Sequence, residues 1–353
     1  MKTPALIGHS HFDDHHSATK ETVLSAVEKA MQRAHALKQL SGDHLFLKAN
    51  LLSFLPVPGQ CTSPWVVEGT VRILQEAGFR LSIGDANVAT RAQVERAAQV
   101  WGTKKLCKQY SMQFVNLSKQ RTRRVNLDSE IFHHMEIPQI LLDVDGIVTL
   151  PVLKMHNVTG MTFSLKNQWG CLTTVRQRYH LVAHKCIPEI NRFLNVVFAV
   201  GDATVCQEGD GPVTGQPRTL NSVLASADRV ALDSAGCYMM GIDPSTIRHI
   251  VHAQKLGLGS MKYTVNGDPL PQEPFAQPVL KNHPIVHAEL AMRKIPGLRW
   301  LVFDTPFFRI PAFIASRYNT IYWYHRYGKR YAKKFLDAHP LYQKEFLSFH
   351  SQM

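Results

Sequence analysis

The 353-residue chain lacks every cysteine pattern that would announce a metal or redox group. Its six cysteines, Cys61, Cys107, Cys171, Cys186, Cys206 and Cys237, are scattered, with no C-x-x-C pair, zinc spacing or ferredoxin-type run. They read as buried free thiols of a reducing compartment. No stretch of ~18 uncharged apolar residues occurs, which argues against a membrane-spanning helix. The opening MKTPALIGHSHFDDHH sets charges and histidines where a secretory leader needs an apolar core, so a cytoplasmic location is the expectation. There is no internal repeat and no helix-turn-helix, RNP or zinc-finger signature, so nucleic acid is not an expected partner. Acidic residues are few: 27 Asp or Glu against 40 Lys or Arg leave a net charge of +13, which favours an acidic partner such as a phosphate, a carboxylate, nucleic acid or an anionic membrane, and composition alone does not choose among them. What is present, 45% apolar and 19% charged residues, is the balance of an ordinary folded protein.

Apolar spacing predicts a helix over 19–40, closed by Gly42, and a short buried strand at Leu45-Phe46-Leu47. Thr62 or Ser63 caps a second helix with Pro64 in its first turn, Gly78 stops it, and Phe79 to Ile83 forms the next strand. A helix from Arg91 to Trp101, strands at Gln113–Asn116, Gly146–Leu150 and Asn195–Val200, and helices at Asp228–Met240 and Pro244–Lys255 continue the alternation. Asn266-Gly267 reads as a hairpin turn. This rhythm predicts an α/β fold: a mostly parallel sheet with helices on both faces, plus a basic, aromatic-rich helical extension at the C-terminus. The expected organisation is a His-rich segment and helix over 1–42, the α/β domain over 43–285 and the tail over 286–353. The run His9, His11, Asp13, Asp14, His15, His16 reads as a solvated approach to the first helix.

In open parallel sheets, ligands bind beyond the C-terminal ends of the strands. Those positions hold Lys48 and Asn50, Gly84-Asp85, Lys154 and His156, and Gly201-Asp202, followed by the loop Glu208-Gly209-Asp210-Gly211-Pro212. Lys166-Asn167 falls near the end of a short helix before Gly170. Crowding Lys48, Lys154 and Lys166 at sheet ends calls for an anionic ligand or facing carboxylates. Lys154 and His156 share a face if their segment is extended, which suits proton transfer beside an anion. The expected catalytic residues are therefore His156, Lys154 and Lys166. The expected ligand-binding residues are Lys48, Asn50, Asp85, Asn167, Asp202, Glu208, Gly209 and Gly211. Asp202, Glu208 and Asp210 are candidate ligands for a divalent metal, where hard oxygens suit Mg²⁺ or Ca²⁺ better than zinc. His180 and His184 give only a weak zinc signal, and Arg121, Arg123 and Arg124 read as an exposed loop or edge strand.

Five stretches carry a family resemblance: FLKAN (46–50), TSPWVVEGTVRILQEAGFRLSIGDA (62–86), LPVLKMHNVTGMTFSLKNQWG (150–170), VGDATVCQEGDGPVTGQP (200–217) and LASADRVALDSAGCYMMGIDP (224–244). Their ordered set resembles the domain of unknown function 362 family over roughly residues 40–260. The resemblance implies an α/β fold and a pocket, and carries over Lys48, Asn50, Asp85, Lys154, His156, Lys166, Asn167, Asp202, Glu208, Asp228 and Asp233, with Asp228 as a helix cap. Many members carry a ferredoxin-type cysteine run; this chain departs there, and no iron–sulfur cluster is expected.

Residues 291–353 hold 11 Lys or Arg against 3 Asp or Glu, and 15 of the 32 aromatic residues. Pro306 and Pro311 should break this tail into short helices. The function expected from all this is an enzyme or enzyme accessory binding a small anionic ligand through Lys48, Lys154 and Lys166, with His156 as acid or base. The alternative is a non-catalytic protein docking through 298–349 on an anionic membrane surface or a protein partner.

Overall fold

Leu45, Phe46 and Leu47 are all fully buried, which requires cover on both faces of their strand. The computed structural model, which describes residues 4–88, 93–126, 129, 131–172, 176–279, 284–303 and 305–350, provides it. The strands are β1 (Ala5–His11), β2 (His44–Ala49), β3 (Arg80–Asp85), β4 (Gln113–Asn116), β5 (Thr122–Asn126), β6 (His134–Pro138), β7 (Gly146–Leu150), β8 (Val152–His156), β9 (Gly160–Thr162), β10 (Val196–Glu208), β11 (Gln216–Ser226) and β12 (Tyr263–Gly267). The main sheet runs β12-β1-β11-β10-β7-β2-β3-β4, with β8 and β9 attached to β10. Strands β10, β7, β2, β3 and β4 are mutually parallel, and β11 is antiparallel to both its neighbours. The protein is a mixed α/β fold with a mostly parallel central sheet and a helical C-terminal stretch.

Alternation along each central strand splits the core in two. Phe46, Ile147 and Ala199 join one apolar cluster; Leu45, Leu47, Val148, Phe198 and Val200 join the other. The second cluster is closed by the helices Lys20–Arg33 and Pro64–Glu76. In the latter, Ser63 accepts a hydrogen bond from Val66 N–H and Pro64 fills the first turn, where the missing donor costs nothing.

Four expectations are corrected. The N-terminal His run does not simply approach a helix: β1 lies between β11 and β12, so His9 is fully buried and its Nδ1 is 2.7 Å from the Asp268 carbonyl, while His15 and His16 stay exposed. Asn266-Gly267 makes no hairpin; it ends β12, which is parallel to β1, and the Asn266 amide donates to the Arg33 carbonyl. Asp202 is not at a strand end, because β10 continues past it to Glu208 as the first arm of a long antiparallel pair with β11. Pro311 does not break the tail: it lies in the first turn of the helix Arg309–Arg317, which continues through π-type turns to Gly328 and on to Ala338. The helix expected from Arg91 is described from Val94, and Arg91 lies outside the described residues.

The last helix, Pro340–His350, is fastened to the α/β body. Leu341 and Tyr342 are buried in the second cluster, and Tyr342 Oη donates to the Asn221 side chain at 2.5 Å. Glu345 accepts hydrogen bonds from the Ser63 hydroxyl and from Trp65 N–H (3.3 Å), so its carboxyl sits at the N-terminus of the helix Pro64–Glu76. Burial, opposed by the Ser63 bond and reinforced by Asp202, raises the Glu345 carboxyl to about 7 from 4.5.

Between those two pH values the unfolded chain ionises Glu345 while the folded chain keeps it protonated. Stability is therefore lost as pH rises across that window, by about 3 kcal/mol in all. Glu345→Gln keeps the acceptor without the charge. Urea unfolding is expected to show the variant more stable than wild type at about pH 8 and level with it near pH 4.5.

Candidate functional site

Parallel pairing places Lys48 on β2 opposite Gly84 of β3 and Thr149 of β7, so three strand ends meet around its side chain. Asp85 follows directly: Lys48 Nζ lies 2.6 Å from Asp85 Oδ1 and donates to the Ala49 carbonyl at 2.7 Å. Asp85 also accepts from Ala86 N–H (2.7 Å) and Leu51 N–H (2.8 Å). Gly170 packs over this pair. A Cβ there would stand 2.5 Å from Asp85 Oδ1 and 2.9 Å from Lys48 Nζ, so a side chain at 170 is incompatible with the ion pair in this position.

After Leu150 the chain leaves β7 and enters β8, whose extended backbone puts Lys154 and His156 on one side. Lys154 is 1% exposed, and its Nζ donates to Asn50 Oδ1 (2.7 Å) and the Gln60 carbonyl (2.6 Å). Both acceptors are neutral. Burial consequently lowers the ammonium from 10.5 to about 8, against the pull of more distant acidic groups. A neutral amine can supply both bonds and keep its lone pair. His156 Nδ1 accepts from the N–H groups of Val158 (3.0 Å) and Thr159 (3.4 Å). The proton of a neutral ring therefore resides on Nε2. Burial first, and then the charge of Lys166, holds the ring well below the usual histidine range. This narrows the acid–base role expected of His156: as a neutral ring it donates from Nε2 and has no free acceptor nitrogen.

The third segment is the one-turn helix Ser164–Asn167, held by the fully buried Asp233 of the helix Arg229–Met239, which accepts from Ser164 N–H (2.6 Å) and Leu165 N–H (3.2 Å). Asn167 then donates to the Lys48 carbonyl (2.9 Å) and the Thr149 hydroxyl (2.8 Å), and accepts from Asn50 (3.2 Å). Lys166 lies 5.7 Å from the centre of the Trp169 ring. Lys48, Asn50, Asp85, Lys154, His156, Lys166 and Asn167 thus line a single cleft of about 300 Å³. Asp228 caps its helix, accepting from Val230 and Ala231 N–H at 2.9 Å each.

The residues expected from β10 and its loop are placed elsewhere. Asp202 points to the far side, accepting from Ser63 N–H (2.7 Å) and from Thr204, and it lines a small pocket with Cys61, Tyr342 and Glu345. Glu208 pairs with Arg218 at 2.9 Å, and Asp210 accepts from Val279 N–H. The proposed metal trio therefore does not assemble, since the long hairpin spreads the three carboxylates and each already has protein donors. Among the described residues no group of three His, Cys, Asp or Glu side chains is placed to hold a metal ion. Gly209 and Gly211 do not line the cleft. Gly211 packs against β8, where a Cβ would come 2.2 Å from the Met155 carbonyl, and Pro212 and Val213 beyond it form part of the cleft wall.

Sequence reasoning missed Arg293 and His180. Arg293, from the helix Pro284–Lys294, is buried in the wall, and its only signal was the basic composition of the tail. The spacing of His180 and His184 suggests only a weak zinc pair; in the structure the His180 ring stacks on Trp169 at 6.0 Å in the wall, while His184 lies 2.6 Å from the Arg248 guanidinium. The six cysteines are buried and free, and burial raises the Cys61 thiol to about 12.

Comparison with known proteins adds a family. The model of the family described as Domain of unknown function (DUF362) matches residues 45–238, more than half of the chain. The Thylakoid-associated protein sll1697 of Synechocystis sp. is 30% identical over 229 residues, covering 62% of this chain and 69% of that protein. Two solved structures are more distant. A protein of Thermotoga maritima is 14% identical with a TM-score of 0.34, covering 60% of this chain, and the lactate racemase apoprotein of Thermoanaerobacterium thermosaccharolyticum is 13% identical with a TM-score of 0.39, covering 66%. This chain spans 56% of each, and likenesses this remote carry no argument about activity.

The buried amine gives the cleft a pH signature. Folded Lys154 releases its proton near 8, whereas in the unfolded chain it does so near 10.5, so the folded form binds fewer protons between those values and stability rises with pH there. Relative to Lys154→Met, wild type is expected to gain up to about 3 kcal/mol as pH climbs from 8 towards 10.5. Paired urea titrations check it, and parallel curves for the two proteins would show that Lys154 is fully charged in the fold.

Proposed function

The chain belongs to the domain of unknown function 362 family, and we propose that its cleft binds a small anion, a carboxylate or a phosphate, as an enzyme or the accessory of one. The observation that supports this reading is a lysine buried against neutral acceptors in a cleft it shares with two further lysines, an arginine and a histidine donor, where Asp85 is the facing carboxylate. A buried ammonium so held is a standing cost to the fold, and such groups cluster where chemistry needs them. Lys166 and Arg293 supply positive charge to the ligand, and His156 Nε2–H orients it. Lys154, whose ammonium is brought down to about 8 by burial, takes or returns the proton. Lys48 is neutralised by Asp85 and keeps the floor of the cleft in place. Asp202, Glu208 and Asp210 hold no metal in this reading.

A second reading concerns location. We infer peripheral attachment to a membrane from the cytoplasmic side. The name of the thylakoid-associated relative favours it, together with the exposed apolar side chains of the tail. No helix among the described residues is long and apolar enough to cross a bilayer, so attachment would be at the surface.

Calorimetric titration with inorganic phosphate and with small mono- and dicarboxylates tests the cleft. Saturable binding is expected for at least one, weakened roughly 10- to 100-fold by Lys166→Met or His156→Ala, in line with the loss of one charge-assisted hydrogen bond. Equal affinity in wild type and both variants would remove the cleft from the reading.

A further inference from the structure

Large apolar side chains left in solvent are unevenly distributed along the chain: nine of the seventeen found among the described residues lie between Ile295 and Tyr322. On the helix Arg309–Arg317 they occupy one face. Ile310, Phe313 and Ile314, followed by Arg317, stand at i, i+3, i+4 and i+7, while Ala312 on the other side is buried. Phe313 and Ile314 are 58% and 59% exposed, and Trp300 on the preceding helix is 63% exposed. Exposed apolar side chains concentrated in this way mark a surface that meets a partner or a membrane.

The chemistry around this face selects its occupant. Between Ile295 and Tyr322 the sequence contains a single acidic residue, Asp304. Immediately beyond come exposed Arg326, Lys329, Arg330, Lys333 and Lys334, and residues 291–353 as a whole carry a net charge of +8. Arg317 lies 4.9 Å from the Phe313 ring centre, so a cation is held at the edge of the apolar stripe. A second copy of the chain would bring the same excess of positive charge to the contact and be repelled. An anionic bilayer offers both complements, acyl chains for the apolar side chains and acidic headgroups for the cations that flank them.

We propose that the face built by Trp300, Phe307, Ile310, Phe313, Ile314 and Ile321 lies in the headgroup region of an anionic membrane, with the basic residues that follow it against the lipid phosphates. This rests on the peripheral location inferred above and assigns the surface and the lipid charge to it. The geometry is that of an interfacial helix parallel to the bilayer plane, not of a spanning one.

The test is co-sedimentation of the full chain with vesicles of phosphatidylcholine, with and without phosphatidylglycerol. Binding to the anionic vesicles is expected, weaker binding to the neutral ones, and a loss of roughly tenfold or more in Phe313→Asp/Ile314→Asp. Because both side chains are exposed, that variant should keep the wild-type circular dichroism and melting profile. A second variant, Lys329→Gln/Arg330→Gln/Lys334→Gln, should lose the preference for phosphatidylglycerol and the sensitivity to salt. Failure of the full chain to pellet with anionic vesicles would overturn the peripheral reading and this surface together. Undiminished pelleting of the Asp double variant would overturn the surface alone. A dimer of the wild-type chain that becomes monomeric in that variant would replace the lipid with a second copy.

Discussion

The cleft depends on an amide pair. Asn50 and Asn167 come from segments more than a hundred residues apart, and their mutual hydrogen bond leaves Asn50 Oδ1 facing Lys154 and Asn167 Nδ2 facing the Lys48 carbonyl. An amide can do this because it carries donor and acceptor on one planar group, so the two together bridge the end of β2, the turn that holds Lys166 and the middle of β8. A buried network of this kind is stable only when every member is satisfied, since a missing partner leaves a polar atom without solvent. The two central lysines are resolved differently within it. Lys48 is given a carboxylate and stays an ion pair, whereas Lys154 is given amide and backbone oxygens and is left easy to deprotonate. One cleft therefore holds two ammonium groups of unlike chemistry, and the one whose proton is more easily lost lies beside the histidine.

Most of the cleft could be read from the chain because parallel pairing does the assembling. Lys48 and Asp85 end neighbouring strands, and β7 leads into β8 through a single residue, Pro151, so motifs that follow different strands in sequence must emerge at one edge. The one-turn helix bearing Lys166 and Asn167 was legible from its position before Gly170. The same rule misplaced Asp202. An apolar run such as Asn195–Val200 looks the same whether the strand stops after Val200 or continues, and here antiparallel pairing with β11 extends it to Glu208 and turns Asp202 to the opposite face. Likewise the glycines at 209 and 211, which resemble a ligand-cradling loop, are a hairpin tip, and Gly211 is required by the close approach of the Met155 carbonyl. Arg293 could not be assigned, because no local pattern says which of eleven cations in the tail turns inward.

The tail shows why composition alone was a poor guide to its structure. The helix Pro296–Phe303 ends before Pro306 as expected, but Pro311 makes no break, because a proline in the first helical turn removes a donor that has no intrahelical acceptor there, and the helix runs on past it. Composition also blends two kinds of surface that the structure separates. Arg293 is buried in the cleft wall, yet Ile295, two residues later, is largely exposed, and the chain returns to the body through Phe335 and then the helix Pro340–His350. That return includes a carboxyl group in a position that disfavours its ionisation, at a helix N-terminus where partial positive charge and the Ser63 hydroxyl offset only part of the desolvation. A lysine inside the cleft and a glutamate on the final helix are thus both held away from their ordinary ionisation by burial, one made easier to deprotonate and the other harder. The pH at which each changes state is set by the neutral groups packed against it rather than by an opposite charge. Neutral partners leave a buried titrating group responsive near physiological pH, and the fold uses this arrangement twice, once in the cleft and once where the last helix meets the N-terminus of the helix Pro64–Glu76.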